Sequence, residues 1–240
     1  MQDAKVLLIT GASRGIGKQL ALAAAGAGFS VVINYLSRDD EARQVLSEIK
    51  SGNGRAVAVK ADISEPDDVD YIVIRTMEQF GRIDCVINNA GVGNIVSLDD
   101  LDAAEFEKTL KVNLLSAFLV SQASIPHMKL HGGRLIFMSS NAARTGGMIS
   151  AAYAASKAGL EGLMHYYARY LMPHRITANA IAPALIESDM TKAMKLPSTD
   201  KLPLGRLGRP EEIWPIVRMI LETEYLTGQT IHLDAGRYMT

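Results

Sequence analysis

Lys5-Val-Leu-Leu-Ile-Thr-Gly-Ala-Ser-Arg-Gly-Ile-Gly17 decides the fold. Its first half is a near-continuous apolar run, as a strand buried on both faces requires. Its second half is glycine-rich and opens onto an Ala/Leu-rich helical stretch over 15–28. Gly11 permits a tight turn, Gly15 lets a backbone approach a pyrophosphate, and Gly17 lets the helix pack close to the sheet. Free N–H groups at a helix start attract phosphates. The spacing is G-x3-G-x-G rather than G-x-G-x-x-G, so the mechanism carries over while the pattern differs. A tight strand-to-helix turn that holds nothing is the alternative.

The same alternation continues along the chain. Strands are predicted at 5–10, 29–34, 56–60, 84–88, 134–138, 176–181 and 230–233. Helices are predicted at 38–51, 66–80, 103–129, 151–171 and 210–222, with Ser64 as a cap and Pro66 in the first turn of the second of these. Repeated strand–helix units imply an α/β fold, a Rossmann-type doubly wound parallel sheet with helices on both faces. No composition break divides 1–240, so one domain is expected. The irregular stretch 184–209, with Pro197, Pro203, Gly205 and Gly208, follows a strand's carboxyl end, where such sheets bind ligands. It reads as a substrate loop; an ordinary surface connection is the alternative.

A net charge of -1 gives no general attraction to nucleic acid or to an anionic membrane. The single cysteine, Cys85, excludes an intramolecular disulfide and a cysteine metal cluster. His127, His131, His165, His174 and His232 show no metal spacing, so no metal is expected. Residues 1–10 carry too short an apolar run for a secretory signal, and no stretch reaches the ~18 apolar residues of a membrane span. A reducing, cytoplasmic setting is expected. Trp214 reads as packing. Met190 and Met194 read as core, or as the lining of an adaptable apolar pocket.

A nicotinamide dinucleotide carrying a 2′-phosphate is favoured. The second strand ends Asn34-Tyr35-Leu36-Ser37-Arg38, with no acid where the adenosine ribose hydroxyls would lie. Asp39 and Asp40 come later and begin a helix. Arg14 and Arg38 offer forked donors to a phosphate, which selects NADP(H) over NAD(H); two solvated surface arginines are the alternative.

Tyr153-Ala-Ala-Ser-Lys157 puts a phenol and an ammonium on one helix face. A nearby cation favours the phenolate and lowers its pKa, so the tyrosine can exchange a proton with a substrate oxygen. Such a pair is common on surfaces, but its company changes its weight. Ser140 follows the fifth strand, Asn88-Asn-Ala-Gly91 ends the fourth, and Asn113 falls mid-helix, where an asparagine needs partners. It holds a relay water to Lys157, or is merely exposed.

This ordered set resembles the short-chain dehydrogenase/reductase family. The resemblance extends through Asn179-Ala-Ile-Ala-Pro183, Gly205-Arg-Leu-Gly-Arg-Pro-Glu-Glu212 and Tyr225-Leu-Thr-Gly-Gln-Thr-Ile-His-Leu-Asp-Ala-Gly236. It implies a seven-stranded parallel sheet and carbonyl/alcohol oxidoreduction. Tyr153 would be the acid–base, Lys157 would lower its pKa and hold the nicotinamide ribose, Ser140 would steady the carbonyl, and Asn113 would support the relay water. For the cofactor it implies Gly11, Ser13, Arg14, Gly15, Ile16 and Gly17 at the phosphates and Asn34, Tyr35 and Arg38 near the adenosine ribose. Asp62 and Ile63 would meet adenine, and Asn89, Ala90 and Gly91 the central portion. Pro183, Ile186 and Ser188 would lie at the nicotinamide. Within the family the chain is most similar to 3-oxoacyl-acyl-carrier-protein reductases. That implies a carrier-bound substrate in fatty acid biosynthesis, with Lys129, Arg169 and Arg175 as docking cations. It also implies a homotetramer (or dimer) joined through the helices of Asn113 and Tyr153 and through the last strand. A broad-substrate ketone, sugar or polyol dehydrogenase is the runner-up, and a non-catalytic cofactor-binding regulator a third reading. Ala184 stands where the family usually has glycine, Ser188 where threonine is usual, and His174-Arg175 where a glycine is usual. The segment 190–204 is short, which implies a more open substrate site.

Overall fold

A computed structural model describes residues 4–238 apart from 193, 195 and 197 and the side chain of 199; Pro197 lies outside the described residues. Seven strands form one sheet: β1 Val6–Ile9, β2 Ser30–Tyr35, β3 Arg55–Lys60, β4 Cys85–Asn88, β5 Gly133–Met138, β6 Ile176–Pro183 and β7 Thr230–Leu233. All neighbours are parallel, in the order β3-β2-β1-β4-β5-β6-β7. The helices are α1 Gly15–Gly26, α2 Asp39–Ser51, α3 Pro66–Phe80, α4 Ala103–Leu110, α5 Ser116–Met128, α6 Ala142–Thr145, α7 Ala151–Tyr170, α8 Asp189–Lys192 and α9 Trp214–Glu222. The doubly wound α/β sheet expected from the strand–helix alternation is present.

Side chains alternate across a strand, so each strand feeds two cores. Val6 and Leu8 join one cluster with Ile72, Val120, Leu160 and Met164, under α3, α5 and α7. Leu7 and Ile9 join the other with Leu20, Val45 and Val217, under α1, α2 and α9. Burial on both faces is why the strands read as unbroken apolar runs. Trp214 packs edge-on to Phe29, with ring centroids 6.2 Å apart, as packing rather than a ligand platform.

Two local expectations are corrected. The helix read over 103–129 is two helices joined by a π-helical turn, Lys111–Leu115, which holds Asn113. Wide turns of this kind often mark functional positions. Ser64 does not cap α3: its hydroxyl donates to Asp62 at 2.7 Å, and the N-cap is Glu65, with Pro66 opening the helix. The stretch 184–209 carries defined contacts among its described residues. It holds α8, a bridge between Ile186 and Gly208, and a two-bond Arg206–Glu212 pair at 2.8 Å.

Strand order reverses between β1 and β4, and the crevice outside their carboxyl ends is the ligand position of such sheets. The turns that follow the two strands are tied together there. The Thr10 hydroxyl accepts the N–H groups of Asn89 (2.9 Å) and Ala90 (3.0 Å), and the Asn89 amide donates to the carbonyls of Thr10 (2.9 Å) and Gly11 (3.2 Å).

Candidate active site

The glycine turn has the form a pyrophosphate needs. Gly11 has φ +63°, and a Cβ there would press on Ala90 Cα at 2.9 Å. A Cβ on Gly17 would strike the Gly11 carbonyl, with Asn89 Nδ2 at 2.7 Å and Ala12 Cα at 2.9 Å. Gly15, at φ +55°, faces open space. The first turn of α1 has neither a side-chain cap nor an acid, so its N–H groups, those of Gly15, Ile16 and Gly17 among them, stay available to an anion. Ser13 is buried beside them. The donor set fits a dinucleotide's phosphates.

Asn34 is buried in a way its expected role omits. It accepts from Gly11 N–H at 3.2 Å and donates to the Ala61 carbonyl at 3.0 Å, so its amide is spent bracing the turn. At the far end of the crevice Tyr35 donates to Asp39 at 3.3 Å. Burial, with Asp39 next, raises the Tyr35 pKa. Lys60 reaches Asp39 at 3.0 Å and holds its carboxyl below the usual range. Arg14 and Arg38 are exposed and already partnered, Arg14 with Asp189 at 2.5 Å and Arg38 with Glu41 at 2.9 Å. Asp62 accepts both the N–H and the hydroxyl of Ser64, and Ile63 is buried behind it. Pro183 accepts from Asn141 N–H at 3.1 Å, Ile186 is buried, and Ser188 exchanges hydrogen bonds with Thr191 at the start of α8.

The reacting groups meet where β4 and β5 end and α7 begins. The Ser150 hydroxyl accepts from Tyr153 N–H at 3.2 Å, which starts α7 and places Tyr153 in its first turn. Tyr153 is 8 % exposed and Lys157 4 %. Burial raises the Tyr153 pKa, and a hydrogen bond with Ser140 works against that rise. Lys157 donates from Nζ to the Met138 carbonyl at 2.7 Å and lies 5.6 Å from the Tyr153 ring centroid. Burial brings its own pKa down to about 8. Desolvation dominates, the ammonium is turned to a carbonyl, and the group that favours the phenolate is Ser140.

Asn113 is 1 % exposed, so the exposed alternative fails. Its Oδ1 accepts from Val92 N–H at 2.7 Å, and its Nδ2 donates to the Val92 carbonyl (2.9 Å) and to Ser156 (3.0 Å). The side chain thus stitches the turn after β4 to α7. Gly91 lies between it and Lys157: a Cβ there would sit 3.2 Å from Asn113 Oδ1 and 3.5 Å from Lys157 Nζ.

Met190 and Met194 pack on Ala142, Ile149 and Tyr153 as an apolar cover. Flexible thioethers suit such a cover. The three candidate docking cations lie away from Tyr153 within one protomer. Lys129 follows α5, Arg169 is in the last turn of α7 and Arg175 precedes β6, all at the amino-end edge of the sheet. At 1.5 Å per residue, Arg169 lies about 24 Å along α7 from Tyr153. Lys60 and Ser150 were missed in the sequence. Ser150 had a legible signal, a serine just before an Ala-rich helix; Lys60 had none, because its partner lies on another element.

With this geometry in view, comparison with known proteins is decisive for the class. The model of the short chain dehydrogenase family matches residues 5–198. A 3-oxoacyl-[acyl-carrier-protein] reductase of Synechocystis sp. is 38 % identical over 241 residues, covering 98 % of each chain. An L-rhamnose 1-dehydrogenase (NAD(P)(+)) of Sphingomonas sp. is 36 % identical, covering 99 % of this chain and 97 % of its own. The structure of a 7 alpha-hydroxysteroid dehydrogenase complexed with NADH and 7-oxo glycochenodeoxycholic acid superposes with a TM-score of 0.91 at 31 % identity, covering 98 % of this chain and 94 % of that one. The chain belongs to the short-chain dehydrogenase/reductase family. It is accordingly an oxidoreductase acting between carbonyl and alcohol with a nicotinamide cofactor. Among the described residues no helix is long and apolar enough to cross a membrane, and no group of His, Cys, Asp and Glu is placed to hold a metal.

Proposed function

We propose that the chain is an NADP(H)-dependent reductase of 3-oxoacyl thioesters, with Tyr153 as the proton donor. The observation that carries the reading is the junction of Ser140, Tyr153 and Lys157 beside the β1–β4 crevice. The bound nicotinamide supplies the hydride. Tyr153 gives its proton to the substrate oxygen as charge develops there. Ser140 donates to the same oxygen, and such donors act on the transition state more than on the ground state. Lys157, kept dry and close, reloads the phenol, while Asn113 and Gly91 hold the loop that borders it. The apolar cover of Met190 and Met194 excludes water and suits an acyl chain.

The 2′-phosphate preference rests on the charges at the end of β2. Lys60 neutralises Asp39, the acid nearest the ribose position, while Arg14 and Arg38 are held only by exposed pairs. Exposed pairs are weak and screened by solvent, so exchanging a carboxylate for a phosphate costs little. The relatives at 38 % and 36 % identity support the thioester substrate and an acyl carrier protein as its bearer. The rhamnose-oxidising relative keeps a sugar or polyol substrate as the second reading. We place the enzyme in the cytoplasm, as one domain over 1–240 with 184–209 as substrate loop, and as a homotetramer. Exposed Leu115 and Phe118 beside and on α5, and Tyr166 and Tyr170 on α7, support assembly through those helices. The test is NADPH oxidation followed spectrophotometrically with acetoacetyl thioesters, simple ketones and sugars. Turnover of thioesters supports the reading, turnover of sugars alone favours the second, and cofactor binding with no turnover of any carbonyl leaves a regulator.

A further inference from the structure

Glu161 has no part in the chemistry above, yet it is buried at 8 % exposure one turn beyond Lys157 and two beyond Tyr153 on α7. Its buried neighbours along the helix, Leu160, Met164, Tyr167 and Ala168, are core residues. A carboxylate at such a position costs desolvation unless its oxygens are satisfied. One short segment supplies a hydrogen bond to one of them and a cation to the other. Ser139 Oγ lies 2.9 Å from Glu161 Oε1 as donor, and 3.3 Å from the Lys157 carbonyl. Arg144 Nε lies 3.7 Å from Glu161 Oε2. Ser139 immediately precedes Ser140, and Arg144 sits on α6 just after it. The other side of the segment is anchored to β7 and beyond, where Asn141 meets His232 Nδ1 and Asp234 Oδ2, each at 3.0 Å.

We propose, on the reading of Ser140 and Tyr153 given above, that Glu161 is a positioning residue. Its one carboxylate fastens both flanks of the Ser140 segment to the helix that carries Tyr153 and Lys157, and so fixes the Ser140–Tyr153 distance. The β7 anchors set where the segment sits on the sheet; Glu161 ties it to the catalytic helix from both sides of Ser140, beside the bond from Lys157 to the Met138 carbonyl. A loosened Ser140 would still be present but would no longer meet the substrate oxygen and the phenol together, and small misplacements of this kind cost rate steeply.

The test uses the full chain as Glu161→Leu, Glu161→Gln and Ser139→Ala, each also combined with Ser140→Ala. Glu161→Leu is expected to lower kcat about tenfold, a fraction of what losing a whole oxyanion donor costs, with the Kd of NADPH unchanged. Glu161→Gln, which still accepts from Ser139, is expected to recover most of that loss. Combined with Ser140→Ala, neither Glu161→Leu nor Ser139→Ala should lower kcat further, because both act through Ser140. Losses that multiply with Ser140→Ala, or an unchanged kcat in Glu161→Leu, overturn the proposal. If Glu161→Leu fails to fold, Ser139→Ala carries the same comparison with one hydroxyl removed. The underlying acid–base reading fails separately: it falls if Ser140→Ala and Tyr153→Phe themselves keep full turnover.

Discussion

Replacing Lys157 with methionine keeps much of the shape and removes the charge. Burial brings the Lys157 pKa from 10.5 down to about 8 in the folded protein. The native state therefore bears a penalty for the ammonium of about 3 kcal/mol, at 1.36 kcal/mol per pKa unit. Below pH 8 folded and unfolded chains both hold the proton, and the penalty is fully present. Between pH 8 and 10.5 the unfolded chain binds more protons, so this group's contribution makes stability rise with pH until the penalty is gone. Methionine has no such dependence. Its substitution leaves the Met138 carbonyl without its 2.7 Å donor, which costs about 1–3 kcal/mol whatever the pH. Lys157→Met is thus expected to be about as stable as the wild type, or up to about 2 kcal/mol more stable, at pH 7. Its advantage should shrink as pH rises above 8. The assay is urea unfolding by circular dichroism at pH 7, 8, 9 and 9.5, stopping before tyrosines ionise in the unfolded chain. Burial raises Tyr153, so that group begins to withdraw stability only near pH 10. Stability difference curves that stay parallel from pH 7 to 9.5 would refute the reasoning. The same variant should be inactive, a trade of stability against function.

Arg14→Ala combined with Arg38→Ala should weaken NADPH binding at least tenfold while leaving NADH binding within about twofold, the scale of one or two charge-assisted bonds; equal losses for both cofactors in a calorimetric titration would contradict the 2′-phosphate assignment. Gly17→Val should abolish cofactor binding or folding, since even the first added carbon meets the Gly11 carbonyl and Asn89; ordinary NADPH affinity by fluorescence would count against the turn's role. Ser150→Ala should cost about 1 kcal/mol of stability, as lost N-caps do, and should depress kcat more than KM because Tyr153 occupies the capped turn; a fall confined to KM would remove that link.

Features set by local pattern were legible in the sequence. The apolar runs of β1 and β4 and the turn Gly11–Gly17 follow from burial on both faces and from φ and Cβ limits that any reader of residues can apply. Tyr153 and Lys157 shared a helix face by spacing alone. What escaped was set by groups distant in the chain. The partners of Asn113, Val92 and Ser156, lie on two separate elements. The Ser64 hydroxyl went to Asp62 rather than to the helix end, a competition between two nearby acceptors that sequence does not rank. Spacing gives the proximity of Lys157 and Tyr153; it does not give desolvation or the Met138 carbonyl that accepts from the ammonium.

The central claim is that Tyr153 passes the proton while a nicotinamide passes the hydride. Single-turnover mixing of Tyr153→Phe, preloaded with NADPH, against an acetoacetyl thioester measures it most directly. The account predicts wild-type cofactor affinity with NADPH oxidation slowed by a factor on the order of 100 or more, the general acid–base contribution. Oxidation at the wild-type rate would contradict it.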